Sequence, residues 1–425
     1  MIGRGVYRYV GKVRLFRPNA RLYLLNLVIS SVAFGVYALL FNFYVLSLGY
    51  DEALLGRLLS ANSTAALIGA VPAGYASDRL GRKVSLLISG LVTALAVAGM
   101  VVWSNVPGLV AMNVLMGLAQ SLGAVTLAPF LMENSGDEER TYLFSFTFSL
   151  QMIVGMVGFW IGGRLPGWLA GAAGSVDNSP VGYTWALVAV AGLACLSLAP
   201  LLFMRLPAPK RPVGASPLAP FRYARQHPSL LGKLTSPVLV TSLGAGLFVP
   251  FMNVFFRNSY HVDDATIGSL FAAGSLVMGL GFLVGAPLAD RYGKIKLVVL
   301  TQILFIPSLV LLGFAPWFWL SAAAYLVRVV LMTMDDPIYQ TFVMERVEEN
   351  ARATVASLLS MAWSFGWAAG PTISGWLQVE YGFAPVFLSV IATYIIAIYL
   401  TLRFFVWQKE SVAEIAGAAP AAQAD

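Results

Sequence analysis

Charge is what this sequence lacks most. Only 11% of its 425 residues are Asp, Glu, Lys or Arg, while 58% are hydrophobic and the mean hydropathy is +0.77. A water-soluble domain carries roughly a quarter of its residues as charged ones to cover its surface, so that class is excluded. Cysteine is almost missing as well. With Cys195 alone no disulfide can form within the chain, and its setting in an apolar run predicts a buried, inert thiol. The two histidines, His227 and His261, fall in a loop and at a span end, which leaves no histidine cluster for a metal. There is no P-loop, no His-Glu-x-x-His and no nucleophile beside a base, so neither an enzyme nor a bound cofactor is expected.

What is present is a series of long apolar runs. Leu22 to Gly49 holds no charge, and a helix needs about 20 such residues to cross about 30 Å of hydrocarbon. This run is too long for the core of a signal peptide and reads as the first span. Spans are expected near 22–49, 54–76, 84–104, 107–131, 142–163, 182–204, 235–257, 265–289, 297–314, 318–344, 354–378 and 384–406. The basic residues before them (Arg4, Arg8, Lys12, Arg14, Arg17 and Arg21) suit a short helix on the membrane surface. Of the 27 Lys and Arg, all but Arg57, Arg164, Arg257 and Arg328 fall at one end of the spans. That bias places both termini in the cytoplasm and makes the net charge of +7 a topology signal, not a nucleic-acid footprint.

The spans form two copies of one unit at a fixed offset of 212 residues. Gly56 matches Gly268, Leu58 matches Leu270, Ala61 matches Ala273 and Gly69 matches Gly281. Glu133, Arg140, Gly158 and Gly163 match Glu345, Arg352, Gly370 and Gly375 without a gap. The expected domains are therefore a basic segment 1–21, a six-helix bundle 22–204, a linker 205–234, a second bundle 235–406 and a tail 407–425. Pro207, Pro209, Pro212, Pro217 and Pro220 keep the linker from spanning, and its Lys and Arg hold it inside.

Between spans 2 and 3 the chain reads Gly74-Tyr-Ala-Ser-Asp78-Arg79-Leu-Gly81-Arg82-Lys83, echoed between spans 8 and 9 by Asp290-Arg291-Tyr-Gly293-Lys294. Gly81 and Gly293 permit a tight turn at the membrane surface. This doubled motif resembles the cytoplasmic signature of the major facilitator superfamily, over essentially the whole chain. The resemblance implies an all-α membrane fold of twelve helices in two pseudo-symmetric six-helix bundles, working by alternating access. It also implies gating roles for Asp78, Arg79, Arg82, Asp290 and Arg291, although the basic residues can equally anchor the loop. The repeated pairs Glu133/Arg140 and Glu345/Arg352 look like the family's inner-face Glu/Arg latch, with a solvated loop face (Glu138, Glu139, Glu348, Glu349) as the alternative. Span 11 carries Gly366-x3-Gly370-Pro371, close to an antiporter motif, while Gly155-x2-Gly158 in span 5 lacks the proline. Close helix packing explains both.

Span 10 holds ionised groups deep in the hydrocarbon: Arg328, Asp335 and Asp336, followed by Pro337. Seven residues advance a helix by about 10 Å and return to nearly the same face, so Arg328 and Asp335 look into one pathway. They are expected to bind substrate or carry a coupling proton, or else to tie the span to a neighbour. Their counterparts in span 4 are Met116, Gly123 and Ala124, and family members often have an Arg where this chain has Met116. Asn42 and Asn253, at nearly equivalent places in spans 1 and 7, and Gln120 and Gln151 are further candidates for substrate contact, with bonding across helices as the other explanation. Phe34, Tyr37, Phe41, Trp160, Trp363 and Trp367 can line an apolar pocket or pack against neighbours and lipid.

The expected function is transport of a small organic solute across the cell membrane by a monomer, with protons as a candidate coupling ion. A drug or lipid exporter of the same fold is the rival, and a membrane receptor or scaffold is the alternative outside transport.

Overall fold

The computed structural model describes residues 15–136, 139–175, 179–205, 228–347 and 352–407. The remaining parts of the basic amino-terminal segment, the proline-rich linker, the tail, His227, Glu138, Glu348 and Glu349 lie outside the described residues. Within the description the chain is helical, and twelve spans follow the expected apolar runs to within a few residues. They are α1 (Pro18–Ser47), α2 (Glu52–Leu80), α3 (Arg82–Val102), α4 (Val106–Glu133), α5 (Arg140–Gly162), the short α6 (Leu165–Ala172) and α7 (Pro180–Leu202). They continue as α8 (Pro228–Phe248), α9 (Met252–Tyr260), α10 (Asp264–Tyr292), α11 (Lys294–Phe314), α12 (Phe318–Met344), α13 (Arg352–Tyr381) and α14 (Phe383–Leu402). The one expected span that is broken is the seventh. It divides into α8 and α9 around a 3-10 turn, Val249–Phe251, because Pro250 has no N–H to continue the α-helical bonding.

The helices begin and end where the sequence supplies local chemistry. The Asp51 carboxylate caps α2 by accepting from the Leu54 N–H at 2.8 Å, and Asn105 caps α4 by accepting from Gly108 at 2.9 Å. Gly81 and Gly293 close α2 and α10 at φ of 86° and 85°, a backbone state that a side chain rarely adopts. Lys83 then places its ammonium on the Leu202 and Met204 carbonyls, at 2.7 and 2.8 Å, at the negative end of α7.

Two compact units result: Met1–Val213 together with Met252–Gly279, and Gly214–Phe251 together with Leu280–Asp425. In the first, α1 packs on α5 and α7, while α3 packs on α4 and α7 and α2 on α4. In the second, α8 packs on α13 and α14, while α11 packs on α12 and α14. Moving six spans along the chain turns most of the first pattern into the second, as a duplicated unit requires. The side chains that face away from each unit are apolar: Ile68 is 69% exposed, and Trp103, Trp317 and Trp319 stand exposed at span ends. Such a surface is stable against lipid, with tryptophans at the interface. Cys195 corrects the sequence expectation, since it is exposed on α7 and not buried. A run that is apolar all round does not reveal which face meets lipid.

Close crossings set the packing. A Cβ on Gly158 would stand 2.6 Å from the Val32 carbonyl oxygen, and one on Gly370 would stand 2.5 Å from the Gly246 carbonyl carbon. Both sites oppose backbone, which cannot swing aside. A Cβ on Gly155, one turn earlier in α5, meets nothing within 4 Å. Gly158→Ala and Gly370→Ala should therefore each lower stability by about 1–3 kcal/mol, whereas Gly155→Ala should stay within about 0.5 kcal/mol of the parent. Thermal unfolding of the purified variants separates these outcomes.

Candidate functional site

At the loop end of the first unit, Arg82 is the hub. Its guanidinium donates to Asp78 Oδ1 at 2.7 Å, to Ser77 Oγ at 2.8 Å and to Glu133 Oε1 at 3.0 Å. Thr126 of α4 donates to Ser77 Oγ at 2.9 Å, so the turn is bound to α4 twice. In the second unit, Lys294 pairs with Glu345. Lys294 and Glu345 stand 212 residues after Arg82 and Glu133, and the tie is thus repeated with Lys in place of Arg. Among the described residues each glutamate of the expected latch pairs thus meets the motif turn. Arg140 begins α5, and Arg352 donates to the Met344 carbonyl at 3.1 Å. Arg79 and Arg291 are exposed beside the motif turn, and the Asp290 side chain lies outside the description.

The opposite end of the first unit carries a cluster that the sequence reading missed. Asp264, at the start of α10, is 6% exposed and pairs with Arg257 of α9. Tyr183 of α7 donates its hydroxyl to Asp264 Oδ2 at 2.7 Å and accepts from Arg257 at 2.6 Å. The Arg257 guanidinium also lies 3.3 Å from the centre of the Phe43 ring. Close by, Asn42 donates to Asn253 Oδ1 at 2.7 Å and Asn253 donates to the Leu39 carbonyl at 2.7 Å. The two asparagines are thus brought together in a bond across helices. Gly163 and Gly268 touch backbone to backbone, and Asn258 donates to Glu52 at 3.1 Å. One signal was available in sequence. Arg257 breaks the charge bias of the loops, and a cation at the wrong membrane face calls for a carboxylate nearby.

In the second unit, Arg328 is 3% exposed on α12. Its guanidinium lies 4.7 Å from the Phe248 ring centre and 5.5 Å from that of Phe305. An arginine in hydrocarbon costs roughly 3 kcal/mol or more, and desolvated ring faces return about 2 kcal/mol. Among the described residues the charge is therefore only partly compensated. A narrow recess adjoins it, lined by Thr241, Thr301, Gln302, Phe305, Leu331, Met332, Trp363 and Tyr394. The side chains of Asp335 and Asp336 lie outside the description, though α12 runs on through Pro337. Gln120 and Gln151 are half-buried in the first unit, and neither makes a side-chain hydrogen bond among the described residues. Phe34 and Trp160 are 54% and 45% exposed, while Tyr37 stacks on Phe41.

Comparison with known proteins places this geometry. The sequence model described as "Major Facilitator Superfamily" matches residues 23–246 and 234–424. Among curated relatives, a niacin transporter of Acinetobacter baylyi is 24% identical over 38% of this chain and 37% of its own length. A multidrug resistance protein of Enterobacter lignolyticus is 25% identical over 74% of this chain and 73% of its own length. The chain spans about a third of the length of the first curated relatives it matches. The crystal structure of the nucleoside transporter NupG aligns with a TM-score of 0.69 at 15% identity, covering 92% of this chain and 100% of that one, a likeness of fold.

The buried acid–base cluster has a measurable consequence. Asp264→Ala leaves Arg257 against Phe43 without its counter-charge and should cost about 3 kcal/mol of stability. Arg257→Met in the same chain should restore much of it, giving a coupling of about 2 kcal/mol in a double-mutant cycle. A coupling near zero would show that the contact contributes nothing to the stability of the first unit.

Proposed function

The chain belongs to the Major Facilitator Superfamily, matched over nearly its whole length, and from that premise we propose that it carries a small organic solute by alternating access, with both termini in the cytoplasm. The protein is a multi-pass membrane transporter of solutes. What supports the finer reading is the polar character of the contacts at the far end of the first unit. There, α9 and the start of α10 are held to α1 and α7 by Asn42, Asn253, Tyr183, Arg257 and Asp264. Amides and an ion pair hold helices together while they are dry, and they exchange their bonds for water when a cleft opens, so that no polar group is left unpaired in either arrangement. The cluster is a closed outer gate in this reading, and the Arg82–Glu133 and Lys294–Glu345 ties brace each unit at the inner face.

Asp335 and Asp336 are the carboxylates proposed to carry a coupling proton, and Asn42, Asn253, Gln120 and Gln151 the polar groups nearest the substrate's route. The niacin transporter among the relatives favours a metabolite-sized solute, and the multidrug resistance protein supports efflux as the second reading. A monomer in the lipid bilayer suffices for this mechanism.

Joining the two asparagine positions tests the gate. In a Cys195→Ser background, Asn42→Cys with Asn253→Cys, bridged by a short thiol cross-linker, should stop uptake into proteoliposomes, and a cleavable linker should restore it on reduction. Full transport by fully cross-linked protein would rule out opening at this end. Asp335→Asn should abolish uphill accumulation driven by a pH gradient while exchange persists. An unaltered response to the gradient would remove protons from the mechanism.

A further inference from the structure

The two halves of the chain fill one structural position in opposite ways. Arg328 stands where the first repeat has Met116, and both side chains are 3% exposed. The fold accepts an apolar side chain there, so a cation is not needed to hold the helices together. Phe305, one of the rings facing the guanidinium, stands where the first repeat has Thr93. Cation and ring are thus shared departures from the repeat, found together in the second unit.

The bonding of Arg328 is incomplete. Among the described residues its guanidinium makes one hydrogen bond, to the Met332 thioether at 3.3 Å, and its buried Nε has no partner. Ring faces attract a cation but do not accept the N–H groups that lie in the guanidinium plane. A planar fork of donors left without oxygen acceptors in a dry place matches an incoming group with two acceptor oxygens, and a carboxylate fits it bidentately. The neighbouring recess shares Phe305 and Met332 with the surroundings of the guanidinium. It adds Thr241, Thr301, Gln302 and Trp363, and has room for about one water-sized group.

We infer that the second unit holds a subsite for the carboxylate of an organic anion, with Arg328 supplying the fork and Phe305 and Trp363 the apolar walls beside it. The inference rests on the transport reading above and names the class of its substrate. An anion is drawn to Arg328 because its approach completes the bonding of a charge that the protein leaves partly uncompensated. A neutral amide of the same shape offers one acceptor oxygen and no charge, and a cation is repelled.

Thermal unfolding of the purified, detergent-solubilised protein tests this without any transport step. The probes are benzoate, phenylacetate and glutarate, with benzamide and benzylamine as neutral and cationic counterparts. At least one carboxylate should raise the melting temperature of the parent, and benzamide and benzylamine should not. Arg328→Gln should weaken carboxylate binding at least tenfold while melting, without ligand, at or above the parent. Arg328→Lys should bind more weakly than the parent and more tightly than Arg328→Gln, and it provides the readout if the glutamine variant does not fold. Three results would overturn the proposal: no carboxylate binds, benzylamine stabilises in their place, or Arg328→Gln keeps the parent's carboxylate shift. Carboxylate binding without transport in liposomes would sink the transport reading alone. Transport of a neutral or cationic solute with no carboxylate binding would sink this inference alone.

Discussion

A polar group in a hydrocarbon layer has no water to fall back on, so it is stable only where the protein itself supplies a partner. The buried polar groups of the first unit are arranged around that constraint. Arg257 is met by Asp264 and Tyr183 and Asn42 by Asn253, while at the half-exposed loop ends Arg82 is met by Asp78 and Glu133 and Lys294 by Glu345. Most of these partners are far apart in sequence, 51 positions for the two loop ties and 211 for the asparagines. Each bond therefore fixes the relation of helices that the chain alone leaves independent. Apolar packing brings the helices together, with glycine faces setting how closely they approach. The polar bonds determine which rotation of each helix is retained, because any other would strand a charge in lipid.

The spans were legible in the sequence for a simple reason. A bilayer imposes one length and one polarity on every crossing, and both are local properties of the chain. The turns at Gly81 and Gly293 were legible because a positive φ needs glycine. Side-chain orientation was not legible. Cys195 and Phe34 sit in runs that are apolar on every face, and nothing local separates the lipid side from the protein side. The tie between Glu133 and Arg82 was not legible for a related reason. Arg140 is seven residues away and invites pairing, yet the helix end that carries Glu133 comes to rest against the turn that carries Arg82. The Asp264 cluster was hidden because Tyr183 reads as one more aromatic residue in an apolar span, and its value comes only from a neighbour 81 positions on.

The division of the chain into units carries its own physical content. The boundary between Phe251 and Met252 falls where the seventh span is broken by the Val249–Phe251 turn. A continuous α-helix transmits its orientation rigidly along its length, whereas a 3-10 turn with a proline has fewer and weaker bonds to hold the two parts in line. α9 packs with α1 of the first unit, where Asn253 donates to the Leu39 carbonyl, and Arg257 meets Tyr183 of α7 and Asp264 of α10.

Duplication gives a scaffold whose copies can be compared position by position, and the comparison separates what the fold needs from what it merely tolerates. The glycine at 158 recurs at 370 and the acid at 133 recurs at 345 because each copy faces the same packing problem. Glu52 and Asp264 occupy matching places, yet Glu52 accepts a bond from Asn258 while Asp264 is buried against an arginine. The same position thus does lighter work in one copy and heavier work in the other. Met116 and Arg328 differ further still, in charge and not in degree. A position that one copy satisfies with a thioether is under no structural demand for a cation in the other. Among the described residues the surroundings of Arg328 return less than burial of its charge costs. Its presence in the second copy is the physical reason to look for function at α12, and the apolar Met116 at the matching place in α4 makes the chain asymmetric about its own repeat.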